Sequence, residues 1–420
     1  MSATSYLDSL SNKQLFSYAS IGLCTLNRPI LNLVIGLFPL IPTGLLNFFI
    51  GKIYVGGNTP QQVLASGQDL SKRGINNFML SLTIEDAEGN KNIDIKYIID
   101  ETLSSIHTIL KPQILSQLAK ATTEDEINSI PPGYIVLKPS AIVSNPSKVL
   151  LNYNKPEYAS QWKQLNDNCG VITEEIVKLN KELKAIYPTR KSPFLLTCID
   201  AEKYSLQKDG VYELQRNLFQ KFNKINEPVQ VVGTIQMYLK DSLEQIKYEH
   251  SLAKALNYRL GFKLVRGAYI HSEKDRGVIH DTKENTDADY NEGVAFVLKD
   301  ISENKENSTA GHLIVASHNA NSSNMVVDEL ARNNENSYLK SNVVLAQLLG
   351  MCDDLTYNLI EKRGVKNIIK YVPWGPPVET KDYLLRRLQE NGDAVRSDNG
   401  WPLVKNVLNI YKKRFLESRS

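Results

Sequence analysis

Metal-ligand spacing is missing from this sequence. Its six histidines (His107, His250, His271, His280, His312, His318) fall in no H-E-x-x-H or comparable pattern. Its four cysteines (Cys24, Cys169, Cys198, Cys352) lie far apart, with no C-x-x-C pair. Isolated reduced thiols are therefore expected rather than a disulfide framework or a zinc motif, and no catalytic metal is expected. No run reads G-x-G-x-x-G after an apolar strand, and no Walker lysine loop occurs, so the common nucleotide fingerprints are absent. Charge of one sign is scarce too: the formal net charge is +3 over 420 residues, without a dense basic run. That argues against a nucleic-acid partner. No arginine precedes Arg28 and the opening MSATSYLDSL has no basic stretch, so neither a secretory signal nor a mitochondrial presequence is visible.

What is present is an ordinary globular balance, 42% hydrophobic and 23% charged, in a length suited to one barrel with an appendage. From Pro29 to Gly51 no residue is charged, long enough to nominate a membrane span of about 20 residues. Asn32, Gly36, Pro39, Pro42, Gly44 and Asn47 interrupt it, and the paired prolines would break a continuous helix near its middle. Two short apolar helices are expected there, packed on the main domain or lying at a membrane surface. Residues 1–72 are expected to form this helical appendage and 73–420 the catalytic domain.

Apolar, β-branched runs recur along the rest of the chain: 77–82, 134–142, 193–200, 229–238, 262–269, 312–319, 342–350 and 367–372. Amphipathic or heavily charged segments separate them, such as 94–118, 168–185, 211–222, 242–256, 286–302, 324–333 and 354–363. Eight strand–helix alternations predict an α/β fold of the closed (β/α)8 TIM-like barrel type, in preference to an open doubly wound sheet. Active sites of such barrels gather at the C-terminal ends of the strands. Polar residues do stand where the runs end: Lys138, Asp200, Gln236, Arg266, Tyr269, His318, Asn319, Gln347 and Tyr371.

In the eighth unit, the loop Pro373-Trp374-Gly375-Pro376-Pro377 is expected to stop the strand. A helix should start near Thr380 and run to about Asn391, with Gly392 at its C-terminal cap. Tyr383, Arg387 and Glu390 share one helical face, with Arg386 about 100° around from Arg387. Two guanidinium forks beside a rigid entry suit a carboxylate ligand, against the plainer reading of a solvated basic pair. The fifth strand carries Lys263 and Arg266 inside an apolar run, followed by Gly267 and Ala268, which leave room for a planar group. The two cations could stabilise a reduced flavin anion, or simply pair with Asp200 or Glu202 inside the barrel. Chemistry alone leaves that choice open.

Seven ordered blocks, KPSAI (138–142), CIDAE (198–202), GTIQMY (233–238), KLVRGAYIHSE (263–273), ASHN (316–319), QLLGM (347–351) and KYVPWGPPVETKDYLLRRLQENGDAVRSD (370–398), resemble the motifs of proline dehydrogenases. The resemblance runs from about Leu80 to Asp398 and is closest to the single-function fungal mitochondrial enzymes. It implies a distorted barrel holding FAD, and oxidation of L-proline to Δ1-pyrroline-5-carboxylate, the first step of proline degradation to glutamate. It also implies electrons passed to ubiquinone, and peripheral association with the matrix side of the mitochondrial inner membrane. By position, Arg386 and Arg387 would hold the proline carboxylate and Glu390 would pair with one of them. Lys138, Asp200, Tyr371 and Tyr383 would shape the substrate pocket, with Ala268, Tyr269 and Leu348 or Leu349 against the ring. Lys263, Val265, Arg266, Gly267, Gln236, Ser317 and His318 fall on flavin-contacting positions. Lys263 stands where an arginine is common in the bacterial pattern, Arg266 where a lysine is, and Ser317 where a threonine is frequent. Three other readings stay open: the same chemistry on hydroxyproline or pipecolate, a flavin-free scaffold, and a lyase using Lys138 or Lys263 as a Schiff base.

Overall fold

The computed structural model describes residues 4–84, 93–267, 269–270, 272–393 and 400–417. Eight strands, β1 (Asn77–Leu82), β2 (Gly133–Leu137), β3 (Leu195–Ile199), β4 (Val231–Gln236), β5 (Leu260–Val265), β6 (Ala310–Ala316), β7 (Val343–Leu348) and β8 (Ile368–Trp374), form a closed parallel barrel. They follow in sequence order, with β8 pairing back onto β1. The expected (β/α)8 architecture is what the chain adopts. Strand alternation explains why it closes: Met79, Tyr134, Val136, Leu196, Cys198, Val232, Ile314, Val344 and Ile369 fill the interior. The intervening residues face outward into the larger core shared with the helices.

Proline decides two boundaries, in opposite senses. β2 ends at Leu137, earlier than the apolar run suggests, because Pro139 lacks an N–H and opens a 3-10 turn (Pro139–Ala141). β8, expected to stop before Pro373, continues to Trp374. The β7 pairing ends at Tyr371, so no β7 strand remains to require a donor from Pro373. Its carbonyl instead accepts from Gly56 N at 2.8 Å, while Trp374 O accepts from Thr83 N of the neighbouring β1 edge at 3.0 Å. The following helix (Pro377–Asp393) starts at Pro377 rather than near Thr380 and runs through Gly392. Proline at a first helical position costs nothing, since its N–H would be an orphan there.

The 29–51 stretch does break at its prolines. Helix Arg28–Leu37 gives way to a 3-10 turn (Phe38–Leu40), and a helical run resumes from Thr43 to Tyr54. With helix Asn12–Cys24 these pieces pack on helix Pro377–Asp393, joining Ile21, Leu31, Phe38, Leu46 and Ile50 to Tyr383, Leu384 and Leu388. Lys381 Nζ caps the break by donating to Pro39 O and Ile41 O, both at 2.8 Å. No single helix among the described residues is long and apolar enough to cross a membrane. Asn12–Cys24 with Arg28–Leu40 passes that test as a pair, bent by 106°.

A helix at Trp401–Glu417 that the strand pattern does not foreshadow lies along Asn12–Cys24. Arg414 ties them by donating to Asn12 Oδ1 (2.6 Å), and it also reaches Asp8 O (2.9 Å) and Leu10 O (2.7 Å) just before that helix. A buried ion pair makes the second tie between the N-terminal helices and the barrel. Lys370, an outward-facing residue of β8 with no exposed surface, meets Asp353 at 2.7 Å. Asp353 in turn accepts from the Tyr6 and Tyr18 hydroxyls, at 2.8 and 2.6 Å.

Candidate active site

A cavity of about 720 Å³ opens at the C-terminal end of the barrel. Most residues nominated from sequence line it: Lys138, Asp200, Lys263, Val265, Arg266, Gly267, Tyr269, Ser317, His318, Leu348, Tyr371, Tyr383, Arg386 and Arg387. The choice between two leucines resolves in favour of Leu348, since Leu349 lies in the outer core. Gln236 is the exception: it sits at the end of β4, fully buried and off the cavity wall, and its side-chain amide donates to Glu202 O at 2.7 Å. Ala268 lies outside the described residues, as does the side chain of Glu390. Met79, Thr234, Ala316 and Ala346 also line the cavity. They are inward-facing strand residues that period-two alternation could have found once the mouth was placed.

The centre of the site is a hydrogen-bonded chain of side chains from four strands. Lys263 Nζ of β5 meets Asp200 Oδ1, just past β3, at 2.7 Å. Tyr371 Oη of β8 lies 3.0 Å from Asp200 Oδ2 and 2.7 Å from Ser81 Oγ. Burial alone would raise the Asp200 pKa, but the Lys263 ammonium outweighs it, helped by Lys138 and Tyr371, and holds the carboxyl below its usual range. Burial likewise opposes charge on Lys263, which is 3% exposed, yet Asp200 raises its pKa above the ordinary value. A Schiff-base lysine needs the reverse shift, so Lys263 does not suit that role.

The alternative pairing weighed for the fifth strand is half realised. Lys263 takes Asp200, whereas Arg266 pairs with Asp287, also bonded by Lys283 at 2.6 Å. Glu202 is engaged elsewhere, accepting from Ser140 N at 3.1 Å. Gly267 lines the cavity, but a Cβ there would come within 2.5 Å of Ile270 Cδ1 and 3.1 Å of Tyr238 Cδ1. Its lack of a side chain is therefore required by the packing of the β5 end, while its backbone faces the cavity.

His318 Nε2 accepts from Leu348 N at 3.2 Å, which leaves Nδ1 as the protonated nitrogen of a neutral ring. Burial, with Lys370 and Arg387 nearby, pushes its pKa down to about 4. His312, at the closed end of the interior beside Tyr134 Oη at 2.9 Å, is also pushed by burial to about 4. Both folded-state values lie below the unfolded imidazole value near 6.5. Their stabilising effect is present above about pH 6.5 and is lost as pH falls towards 4, at about 1.4 kcal/mol per pH unit for each ring. Urea midpoints between pH 7 and 4.5 should fall accordingly, and His312→Gln should remove one proton from that slope. A midpoint flat over the interval would contradict the buried neutral assignment.

The helix after β8 closes the mouth. Arg387 is 8% exposed, with its guanidinium 4.9 Å from the Tyr383 ring centroid; Arg386 is exposed at the rim. Among the described lining residues are six cations (Lys138, Lys263, Arg266, Lys283, Arg386, Arg387) and one carboxylate, Asp200. Helix Ala320–Arg332 starts on the same wall, with Asn319 as its cap, and adds the positive end of its dipole.

The C-terminal mouth of a (β/α)8 barrel is where enzymes of this architecture carry their active sites. The chain is a member of the proline dehydrogenase family, whose pattern matches residues 63–399. It is 29% identical over 380 residues to "Probable proline dehydrogenase, mitochondrial" of Schizosaccharomyces pombe, covering 82% of this chain and 75% of that protein. It is 26% identical over 358 residues to "Carbapenem antibiotics biosynthesis protein CarD" of Pectobacterium carotovorum, covering 84% and 82%. The match to human "Proline dehydrogenase 1, mitochondrial" is 32% over 207 residues, 47% of this chain and 32% of that protein. The Dictyostelium and Arabidopsis relatives are likewise matched over less than half their length. Among solved structures, proline utilization A from Bdellovibrio bacteriovorus superposes with a TM-score of 0.58 at 17% identity, over 93% of this chain and 39% of that one. That likeness concerns the fold.

Proposed function

We propose that the protein oxidises L-proline to Δ1-pyrroline-5-carboxylate, with FAD as cofactor and ubiquinone as the onward acceptor, on the matrix side of the mitochondrial inner membrane. The observation that carries this reading is the charge imbalance of the mouth, six cations to one carboxylate among the described lining residues. Such a cavity fits two anions, an amino-acid carboxylate and a phosphate-bearing cofactor. Lys263, Val265, Arg266, Gly267, Ser317 and His318 would hold the cofactor, with Lys283 and the Ala320 helix start as further phosphate partners. Gln236 would act from behind the wall by bracing the Glu202 backbone. Bound FAD would supply the hydride acceptor.

The chain's own residues then orient the substrate. The Arg386–Arg387 pair takes the carboxylate, and Tyr371, Tyr383 and Leu348 bracket the ring. Tyr371 is held in place by Asp200 and Ser81. Positioning of this kind can supply about 7–11 kcal/mol of a barrier. The ring nitrogen must lose its extra proton before its lone pair can drive C–H cleavage. Asp200, with a depressed pKa, is a weak base, and Lys263 is kept protonated. His318 has its basic nitrogen tied to Leu348 N. That leaves solvent or one of the lining tyrosines, Tyr269, Tyr371 and Tyr383, to take the proton. Adding proline anaerobically to the purified flavin-loaded protein should bleach the visible flavin bands. A protein that takes up no flavin, or whose bands persist with proline present, would overturn the reading.

A further inference from the structure

A second cavity, of about 380 Å³, lies on the other side of helix Pro377–Asp393. Ile21, Val34, Phe38, Leu46, Leu384 and Leu388 stand in its wall, and none of the described residues that line it is charged. Ser20, Cys24 and Tyr54 are its polar members among eleven apolar residues, so water in it is poorly held and an apolar occupant is favoured. It is open to the surface through half-exposed Leu23, Leu45 and Phe49. Around that opening Phe16, Leu37, Leu40 and Phe48 stand exposed, Leu40 by 78%. Contiguous apolar surface of this extent marks an interaction site.

Charge identifies the partner. Between Asp8 and Asp69 the chain has no acidic residue, and its charged residues there are Lys13, Arg28 and Lys52. Lys52 lies against Lys13, and that contact holds its pKa below the ordinary lysine value. Two ammonium groups brought together beside an apolar face suit an anionic lipid surface. The helix packed against this segment, Pro377–Asp393, carries the acids Glu379 and Asp382, and the segment itself carries none.

We propose that this cavity seats one acyl chain of an anionic membrane phospholipid, and that its occupancy sets the carboxylate clamp. Leu384 and Leu388 form one row of the helix and face the apolar cavity. Tyr383 and Arg387, the adjacent row, face the catalytic cavity. A chain packed against the first row fixes the rotation of the second. The kinetic part of this inference rests on the proposed proline oxidation; the binding part does not.

The test uses the full chain and two groups of variants. Val34→Trp and Leu45→Trp fill the cavity at positions that are not fully buried, while Leu40→Asp and Phe48→Asp charge the rim and leave the cavity intact. The unsubstituted chain should bind the fluorescent fatty acid cis-parinaric acid saturably at one per chain. The Trp variants should lose that binding and the Asp variants keep it. Sedimentation with phosphatidylserine vesicles should show the opposite pattern. Those vesicles should lower KM for proline several-fold, with kcat unchanged, in the unsubstituted chain but not in Val34→Trp or Leu45→Trp. Parinaric acid binding that is absent, or that survives in both Trp variants, overturns the seat. A KM indifferent to vesicles despite binding overturns the coupling. Absent proline turnover with parinaric acid binding intact would instead refute the proposed oxidation.

Discussion

Arg387→Ala is expected to raise KM for proline by on the order of 30- to 1,000-fold, equivalent to about 2–4 kcal/mol, while flavin content stays near one per chain. The size follows from how Arg387 is held. It is 8% exposed and packed on the Tyr383 ring, so little side-chain entropy is lost when a carboxylate arrives. Its low exposure also limits water's ability to screen the contact. Arg386, exposed at the rim, should matter less, by roughly tenfold in KM when truncated. Arg387→Lys keeps the charge but loses the bidentate fork, so it should recover part of the loss. Steady-state kinetics on variants matched for flavin content separate binding from collapse of the site. Unchanged proline kinetics in Arg387→Ala would remove the clamp from the mechanism.

Lys370→Met should lower the free energy of unfolding by about 3–5 kcal/mol, the cost of leaving a buried charge without its partner. Lys370 is fully buried, and its ammonium also donates to Met351 O at 2.9 Å and Thr356 Oγ1 at 2.8 Å. Burial alone would raise the Asp353 pKa, but Lys370 outweighs it, so the carboxylate stays ionised in the folded protein. Removing the cation strands it. Asp353→Asn should be milder, because the amide still reaches the two tyrosine hydroxyls. The double variant Lys370→Met/Asp353→Asn should regain much of the loss, since it leaves no buried charge and the amide keeps the tyrosine hydroxyls satisfied. Urea unfolding of the three variants measures this, and a Lys370→Met cost below about 1 kcal/mol would show that solvent reaches the pair.

The contrast between Lys370 and Tyr371 shows what a sequence can and cannot reveal about this protein. Barrel strands read clearly because seven of the eight apolar runs end in polar residues, and that is where the cavity lies. Lys370, one position from a mouth tyrosine, points to the opposite face and builds an anchor that no motif announces. The Asp353 carboxylate that neutralises it comes from another β/α unit, and one-dimensional pattern does not encode such pairings. Arg266 makes the same point, since its partner Asp287 lies on the following helix. Gln236 carries the right residue type at the right strand end, yet its amide turns to a backbone carbonyl behind the wall. Helix Trp401–Glu417 escapes notice because its apolar face meets Asn12–Cys24 rather than a strand, outside the repeating barrel rhythm.

Closure of the barrel through β1 and β8 also orders events during synthesis. The Thr83–Trp374 contact joins residues 291 positions apart, and contacts of such long range form late because the loop entropy must be overcome first. The helix bearing both arginines follows β8 directly, and it is held from outside by segments more than 300 positions earlier in the chain. Through most of elongation, then, the emerging polypeptide holds Lys263 and Asp200 without a means of gripping substrate. A chain truncated before residue 387 would therefore lack the carboxylate clamp proposed above, even with all eight strands present.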